Sequence, residues 1–267
     1  MKAKYDNIGI NYNETRKADP FLVERLFYHL APTETGQYLD IGCGTGNYTI
    51  ALNQKSVNFI GIDPSNTMLK IAKLKNKKIN WVKGSVENIL LSKESIDGII
   101  GSLTIHHWTD LSLGFKELNR VLKKDGTMTL FTATPKQMKG YWLNHYFPKM
   151  LKDSTKQMPT YESIKAALTK SNFKIIETEK YFIQPDLEDL FLYSGKHNPK
   201  LYLKEKIRKG ISSFSALANL EEVTEGLKKL AEDIASKKVY KIIKHYENED
   251  GDYLFIKAAL SQKQPKE

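Results

Sequence analysis

Three glycines at alternate positions behind an aspartate form the most chemically suggestive stretch of this sequence, Leu39-Asp40-Ile41-Gly42-Cys43-Gly44-Thr45-Gly46-Asn47. Glycine allows a tight turn and lets the backbone approach a bound molecule where any Cβ would collide. A helix starting at such a turn presents unpaired N–H groups and the positive end of its dipole. A dinucleotide fingerprint would place its third glycine three residues after the second, where Asn47 stands instead. Asp63 follows Gly46 by seventeen residues and ends an apolar run. A carboxylate there can accept both hydrogen bonds of a ribose diol. His106 and His107 follow a later apolar run. An imidazole, with its pKa of about 6.5, can take a proton from an oxygen or nitrogen nucleophile, or simply orient the loop that carries it. No third ligand stands at a recognisable spacing from the two histidines, so no metal is expected. The one cysteine, Cys43, lies inside the glycine turn, with no second thiol for a disulfide or a zinc knuckle.

The elements that must position these residues alternate. Short β-rich runs at 38–41, 58–62, 79–83, 96–102 and 127–133 are separated by helical patterns at 47–54, 65–75 and 113–122. That rhythm implies a mostly parallel sheet with helices on both faces. The carboxyl ends of its strands are where an open α/β sheet binds its ligand. Beyond residue 133 the rhythm changes. Residues 136–158 form an aromatic-rich insertion with Tyr141, Trp142, Tyr146 and Phe147, and Pro148 inside it. A helix at 161–171 and a long strand at 173–183 follow, then helical patterns over 186–247 and a last strand at 252–258. The implied organisation is an N-terminal helical lid (1–30), an α/β core (31–135), an aromatic cap insertion (136–159), a core helix and strand (160–183), a helical substrate cap (184–251) and a final strand with a tail (252–267).

Taken in order, these motifs resemble class I S-adenosylmethionine-dependent methyltransferases, most closely the type 11 group that includes the ubiquinone and menaquinone methyltransferases. The likeness rests on Asp40-Ile41-Gly42-Cys43-Gly44-Thr45-Gly46, Gly61-Ile62-Asp63-Pro64-Ser65, Met68-Leu69 and Gly84-Ser85-Val86-Glu87-Asn88. It continues through Ile96-Asp97-Gly98-Ile99-Ile100, Leu103-Thr104-Ile105-His106-His107-Trp108 and Glu117-Leu118-Asn119-Arg120-Val121-Leu122-Lys123-Lys124-Asp125-Gly126. Residues 36–134 are covered strongly and the N-terminal segment moderately, whereas residues 184–251 match nothing in the family. The resemblance implies a Rossmann-like fold with a mostly parallel seven-stranded sheet, and S-adenosyl-L-methionine as cofactor, leaving as S-adenosyl-L-homocysteine.

It also implies roles. Asp40, with Gly42, Cys43, Gly44 and Asn47 of the turn, would face the methionine part of the cofactor. Asp63 would hold the ribose hydroxyls, and Pro64, Ser65 and Met68 would line the adenosine pocket. Gly84, Ser85 and Val86 would border the adenine. The family usually carries Asp where Ser85 stands, so one uncharged hydrogen bond, helped by the backbone of Val86 and Glu87, replaces a carboxylate. Ser102 and Leu103 would lie beside the sulfonium. Related proteins carry an N-terminal helix that closes over the cofactor. Here Tyr12 would add a hydroxyl or a ring face, and Arg16 would pair with the methionine carboxylate, which a guanidinium fits. A surface role for Arg16 is the competing reading.

Methyl transfer asks little of side chains, because in-line placement of the nucleophile against an already electrophilic methyl supplies much of the rate. His106 or His107 is the candidate base. Tyr141, Trp142 and Tyr146 are candidate acceptor contacts suited to a flat or lipophilic molecule, unless they only pack the cap. The expected activity is methylation of an O, N or C atom of a small molecule. The alternatives are RNA or protein methylation and a SAM-binding protein without turnover. A net charge of +10 supports the nucleic-acid alternative, but the excess is spread, with +4 over residues 1–135 and +6 over 136–267. Lys70, Lys73, Lys75, Lys77 and Lys78 form its densest run, which reads mainly as a solvated helix face. No Asn/Asp-Pro-Pro-aromatic tetrapeptide follows the fourth strand, and the cysteine is misplaced for cytosine chemistry, so nucleic acid is the less favoured partner. No apolar run spans a bilayer and no leader pattern is visible. The reading is therefore a cytoplasmic protein, monomer or homodimer, with a small-molecule acceptor.

Overall fold

The computed structural model describes residues 15–261. Tyr12, with the rest of residues 1–14, lies outside them. The strands β1 (Gln37–Ile41), β2 (Asn58–Asp63), β3 (Asn80–Lys83), β4 (Ile96–Ser102), β5 (Leu122–Thr132), β6 (Phe173–Tyr181) and β7 (Tyr253–Leu260) join in one seven-stranded sheet. Their order is β3-β2-β1-β4-β5-β7-β6. β7 runs antiparallel to β5 and β6, and the other pairs are parallel. The chain winds outward from β1 to β3, then returns to lay β4 on the other side of β1. That reversal opens a crevice at the carboxyl ends of β1 and β4, where the glycine turn and the His106–His107 segment both begin.

The period-2 alternation of each strand sorts its side chains onto two layers. Leu39, Ile41, Ile62, Ile99 and Leu130 belong to an aliphatic layer, and Tyr38, Phe59, Ile100, Phe131 and Phe255 to an aromatic-rich one. Helix α1 (Pro20–Leu30) starts under an Asp19 cap, whose Oδ1 accepts the Leu22 N–H at 3.0 Å. It buries Leu22, Val23, Leu26 and Leu30 in the aromatic-rich layer. Four such side chains contribute on the order of 10 kcal/mol before ordering costs. Residues 20–30 are thus a helix packed in the core, where the sequence reading put them in an N-terminal lid over 1–30. Helices α2 (Asn47–Asn53), α3 (Asn66–Lys75) and α4 (Leu111–Val121) complete the crossovers. Residues 123–126, which separate the helical pattern at 113–122 from the strand run at 127–133, are absorbed into β5 with a register shift, so that Ile96 pairs with Leu122 but Gly98 with Thr127.

Two insertions leave the same end of the sheet. The first holds α5 (Pro135–Lys139), a 3-10 turn at Trp142–His145 and α6 (Pro148–Gln157), before α7 (Tyr161–Lys170) and β6 return to the core. Pro148 opens α6 at a position where its missing N–H costs nothing. The second holds a 3-10 turn at Pro199–Leu203, α8 (Glu205–Lys209), α9 (Ser212–Ala216), α10 (Leu220–Ala235) and α11 (Lys238–His245). Their aromatic side chains interlock: Tyr141 stacks on Tyr193 at 3.9 Å between centroids, and Trp142 meets Tyr202 edge-on at 5.5 Å. Phe147 meets Phe214 edge-on at 5.0 Å, so the two insertions form one cap.

Candidate functional site

The three glycines of the turn serve different ends. A Cβ on Gly42 would lie 1.9 Å from the Thr104 hydroxyl, and one on Gly46 would lie 2.4 Å from the Trp81 ring. Those two glycines admit protein side chains. A Cβ on Gly44 would meet nothing within 4 Å among the described residues, although its φ of +55° still favours glycine. Gly44 therefore borders open space, and its N–H donates to Asp63 Oδ2 at 2.9 Å. Asp63 Oδ1 accepts the Ser65 N–H at 2.8 Å. Two backbone donors hold this buried carboxylate in place.

Asp40 is buried at the end of β1 and accepts the Thr49 hydroxyl at 2.6 Å. Burial pushes its carboxyl up to about 7, against the pull of the Thr49 hydrogen bond and with a further push from Asp63. Burial also pushes the Cys43 thiol up, reinforced by Asp40 and Asp63. Burial thus favours the uncharged forms of Asp40 and Cys43, and a cationic group beside them would draw the Asp40 carboxyl back toward its ionised form. Asn47 accepts Lys75 Nζ at 2.7 Å on Oδ1 and donates from Nδ2 to the Arg16 carbonyl at 2.9 Å. Lys75, counted from sequence among a solvated lysine run, folds back onto the turn and also donates to the Thr45 carbonyl and hydroxyl.

On the adenosine side Met68 is buried and Pro64 exposed, with the Ser65 hydroxyl capping α3 at the Met68 N–H. Gly84 donates to the Asp63 carbonyl at 3.2 Å. Val86 is packed in the aliphatic layer. Burial works against the Glu87 carboxylate, yet hydrogen bonds from the Ser85 hydroxyl, its own backbone and Thr109 hold it below the usual range. Ser85 thus spends its proton on Glu87 and keeps lone pairs to accept one.

At the end of β4, the Ser102 hydroxyl is buried and makes no hydrogen bond among the described residues. Leu103 takes a left-handed φ of +52°. A branched-chain residue held there costs on the order of 1–2 kcal/mol, strain of the kind that collects at functional sites. Leu103, His106 and His107 line a cavity of about 90 Å³, with Ala133 after β5 and Tyr253 of β7. The cap supplies the remaining walls, including Met138, Tyr141, Ser154, Gln157, Ile211 and Ser212. The rings of His106 and His107 lie 3.9 Å apart between centroids. Of the three aromatic residues expected at the acceptor, Tyr141 lines this chamber. Trp142 and Tyr146 are buried within the cap instead, where the Trp142 indole donates to the Lys196 carbonyl at 3.2 Å and the Tyr146 hydroxyl to Asp233 at 3.0 Å.

Arg16 also lines the chamber. Its Nε and Nη2 donate to the two oxygens of Asp189, at 2.5 and 3.1 Å, and the Tyr48 hydroxyl donates to the same carboxylate at 3.0 Å. Sequence reasoning missed Asp189, Tyr48, Thr49 and the polar cap residues Ser154, Gln157 and Ser212. Asp189 lies 173 residues from Arg16, and no local pattern announces such a pairing.

A methyltransferase-domain family matches residues 39–130. A solved structure from Anabaena variabilis, described as a methyltransferase candidate from an antibiotic biosynthesis pathway, is 33% identical. It superposes with a TM-score of 0.82 over 92% of this chain and 99% of that one. A Saccharomyces cerevisiae protein named as a probable S-adenosylmethionine-dependent methyltransferase, CRG1, is 29% identical over 168 residues, 55% of this chain and 57% of that protein. The ubiquinone/menaquinone biosynthesis C-methyltransferase UbiE of Campylobacter jejuni is 28% identical over 152 residues, 50% of this chain and 65% of its own length. The match to these curated relatives therefore spans less than two thirds of their lengths.

Proposed function

The chain belongs to the S-adenosylmethionine-dependent methyltransferases of the type 11 group, and from that premise we propose that it methylates an oxygen, nitrogen or carbon atom of a compact small molecule bound in the chamber beneath the cap. The observation that carries this reading is the chamber itself. It lies at the ends of β4 and β5, where Leu103 and Ala133 line it, has two imidazoles on its core side and is walled elsewhere by α6 and α9. A cavity of this size beneath a cap suits a small acceptor better than a nucleic-acid strand or a folded protein surface.

The residues fit the cofactor on three counts. Gly44 borders open space, the Asp63 carboxylate stands ready between two backbone donors, and the buried Ser102 hydroxyl lacks a partner among the described residues. In this reading Asp63 accepts the ribose hydroxyls, and Asp40 faces the ammonium of the methionine part. Arg16 recognises its carboxylate, and Met68, Gly84 and Ser85 border the adenosine. The cofactor, when bound, supplies a methyl group on a sulfonium. The protein's part is to hold the acceptor in line and keep water out, which the apolar walls Leu103, Met138 and Ile211 do. For an oxygen or nitrogen acceptor, His106 or His107 takes the proton the nucleophile sheds.

Calorimetric titration tests the premise first. S-adenosyl-L-methionine and S-adenosyl-L-homocysteine should bind at micromolar concentration and NAD should give no heat. Absence of binding by both would end the enzyme reading. A panel of small phenols, amines and quinols, followed by methyl transfer from labelled cofactor, then identifies the acceptor class.

A further inference from the structure

Two carboxylates, Glu177 and Glu179, stand two residues apart on β6 and so on one face of the strand. Arg25 and His29, one turn apart on α1, meet them there. Arg25 holds Glu179 side-on: its Nε donates to Oε1 at 2.9 Å and its Nη2 donates to Oε2. A carboxylate gripped by a guanidinium is ionised and can only accept. The 2.8 Å contact between His29 Nε2 and Glu179 Oε2 therefore places a proton on Nε2, and in a neutral imidazole Nδ1 is then a bare lone pair. The His29 side chain is 1% exposed, and Nδ1 has no hydrogen-bond partner among the described residues. The rings of Tyr28 and Phe255 each lie 5.2 Å from the imidazole between centroids. What Nδ1 faces is Glu177 Oε2, 3.6 Å away.

Two acceptors turned on each other in this way sit comfortably only with positive charge between them. A proton spans the gap poorly, because 3.6 Å is beyond a hydrogen bond. Zinc spans it well: with a bond of about 2.1 Å to each atom, it would see the two about 118° apart, a little wider than tetrahedral. The surroundings match too. A metal-binding histidine donates its other ring N–H to a carboxylate that fixes its tautomer and orientation, and Glu179, clamped by Arg25, stands in that position. Inward-facing charges on an edge strand also discourage pairing with another chain, and β6 ends the sheet, which would account for the carboxylates alone. It leaves a buried lone pair turned on a carboxylate unexplained.

We propose that His29 Nδ1 and the Glu177 carboxylate bind a divalent transition cation, zinc above all, which staples the last turn of α1 to the edge strand, with Glu179 as the positioning residue behind the imidazole. The Glu177 side chain is 42% exposed, so the ion enters from that side and water completes its coordination there. Imidazole with carboxylate suits zinc, copper or nickel, whereas magnesium and calcium prefer oxygen alone. Arg25 on Glu179 and Lys257, opposite Glu177 in the β6–β7 register, bring positive charge close by, so two protein ligands hold the ion reversibly. None of these residues lines the chamber, and the site is separate from His106 and His107, for which no metal is expected.

Nitrogen-15 NMR of the histidine side chains, read on the whole protein during titration with zinc chloride at neutral pH, follows the site directly. Zinc should move the His29 Nδ1 resonance and leave the Nε2–H in place, while magnesium and calcium move neither. Glu177→Gln, a change at a half-exposed position, should weaken zinc binding about tenfold or more, since losing even an outer partner usually costs that much. Zinc should also raise the urea midpoint of the wild type more than that of the variant. Should Glu177→Gln fold poorly, the wild-type resonances decide by themselves. A His29 Nδ1 unmoved by a large excess of zinc would overturn the proposal. So would a ring protonated on both nitrogens that zinc does not displace, since the gap would then belong to the imidazolium. Shifts confined to other histidines, or equal zinc affinity in Glu177→Gln, would overturn it as well.

Discussion

Asp40 sits where folding and cofactor recognition want opposite protonation states. Its carboxyl stands at about 7 in the folded chain because burial and Asp63 oppose the charge, against about 3.9 in an unfolded one. The folded state therefore holds a proton that the unfolded state has released between those values, and stability from this group falls as pH rises through that interval. Asp40→Asn, which mimics the protonated form, should raise the urea midpoint markedly at pH 8 and by clearly less at pH 5, where only part of that interval has been crossed. The same variant should weaken S-adenosyl-L-methionine binding at pH 8, since the ammonium needs the ionised carboxylate. An equal change in midpoint at both pH values would refute the assignment. Gly44 carries a second residue-scale prediction. A β-branched side chain at φ +55° is strained locally, but its Cβ would meet nothing within 4 Å among the described residues. Gly44→Val should abolish cofactor binding while the circular dichroism of the fold persists, and retained binding would mean that the open space beside Gly44 is not the ligand's. The glycine turn and Asp63 were legible in the sequence because their chemistry is local, within one βαβ unit. The different tasks of the three glycines were not legible, because Thr104 and Trp81 reach them from other strands.

Among the elements, α10 shows how packing overrules intrinsic preference. Gly226 lies in the middle of this sixteen-residue helix, where Gly→Ala normally gains about 1 kcal/mol. Here a Cβ would fall 2.4 Å from the Tyr146 carbonyl and 2.6 Å from the Phe147 ring. The helix can lie that close to the Trp142–His145 turn only without a side chain at this point. Overpacking costs typically about 1–3 kcal/mol, and a backbone oxygen yields less than a side chain does. We therefore expect Gly226→Ala to lower the urea midpoint, by about 1–2 kcal/mol net, and a raised midpoint would show that the two insertions are less tightly joined than described. The core strands and their helices follow from period and length alone, with ends shifted by a residue or two. The cap helices were recognisable as helical but not placeable. Their apolar faces meet one another and not a repeating sheet, so the pattern of each segment leaves its neighbour undetermined. The aromatic insertion illustrates this: Tyr141, Trp142 and Tyr146 are close in sequence, yet Tyr141 lines the chamber while the other two pack against Tyr193, Tyr202 and α10.

The molecule as a whole closes its active end with the same apolar material that builds its core. One contiguous cluster runs from Leu22, Phe59 and Phe131 of the core through Tyr181 and Tyr253 to Trp142, Phe147 and Leu230 of the cap. A cap held by a few polar contacts would open as a separate unit, whereas one that shares a buried cluster with the sheet should unfold with it. The sequence contains three tryptophans, Trp81 and Trp108 in the core and Trp142 in the cap, so the two regions can be read separately. In a Trp81→Phe/Trp108→Phe variant, Trp142 is the sole indole and reports the cap. Its urea midpoint should coincide with that of far-ultraviolet circular dichroism, which the sheet and its helices dominate. S-adenosyl-L-methionine should shift both midpoints together by the amount its affinity dictates, although its contacts lie mainly on the core. An earlier transition at Trp142, unmoved by the cofactor, would show that the cap opens independently of the sheet.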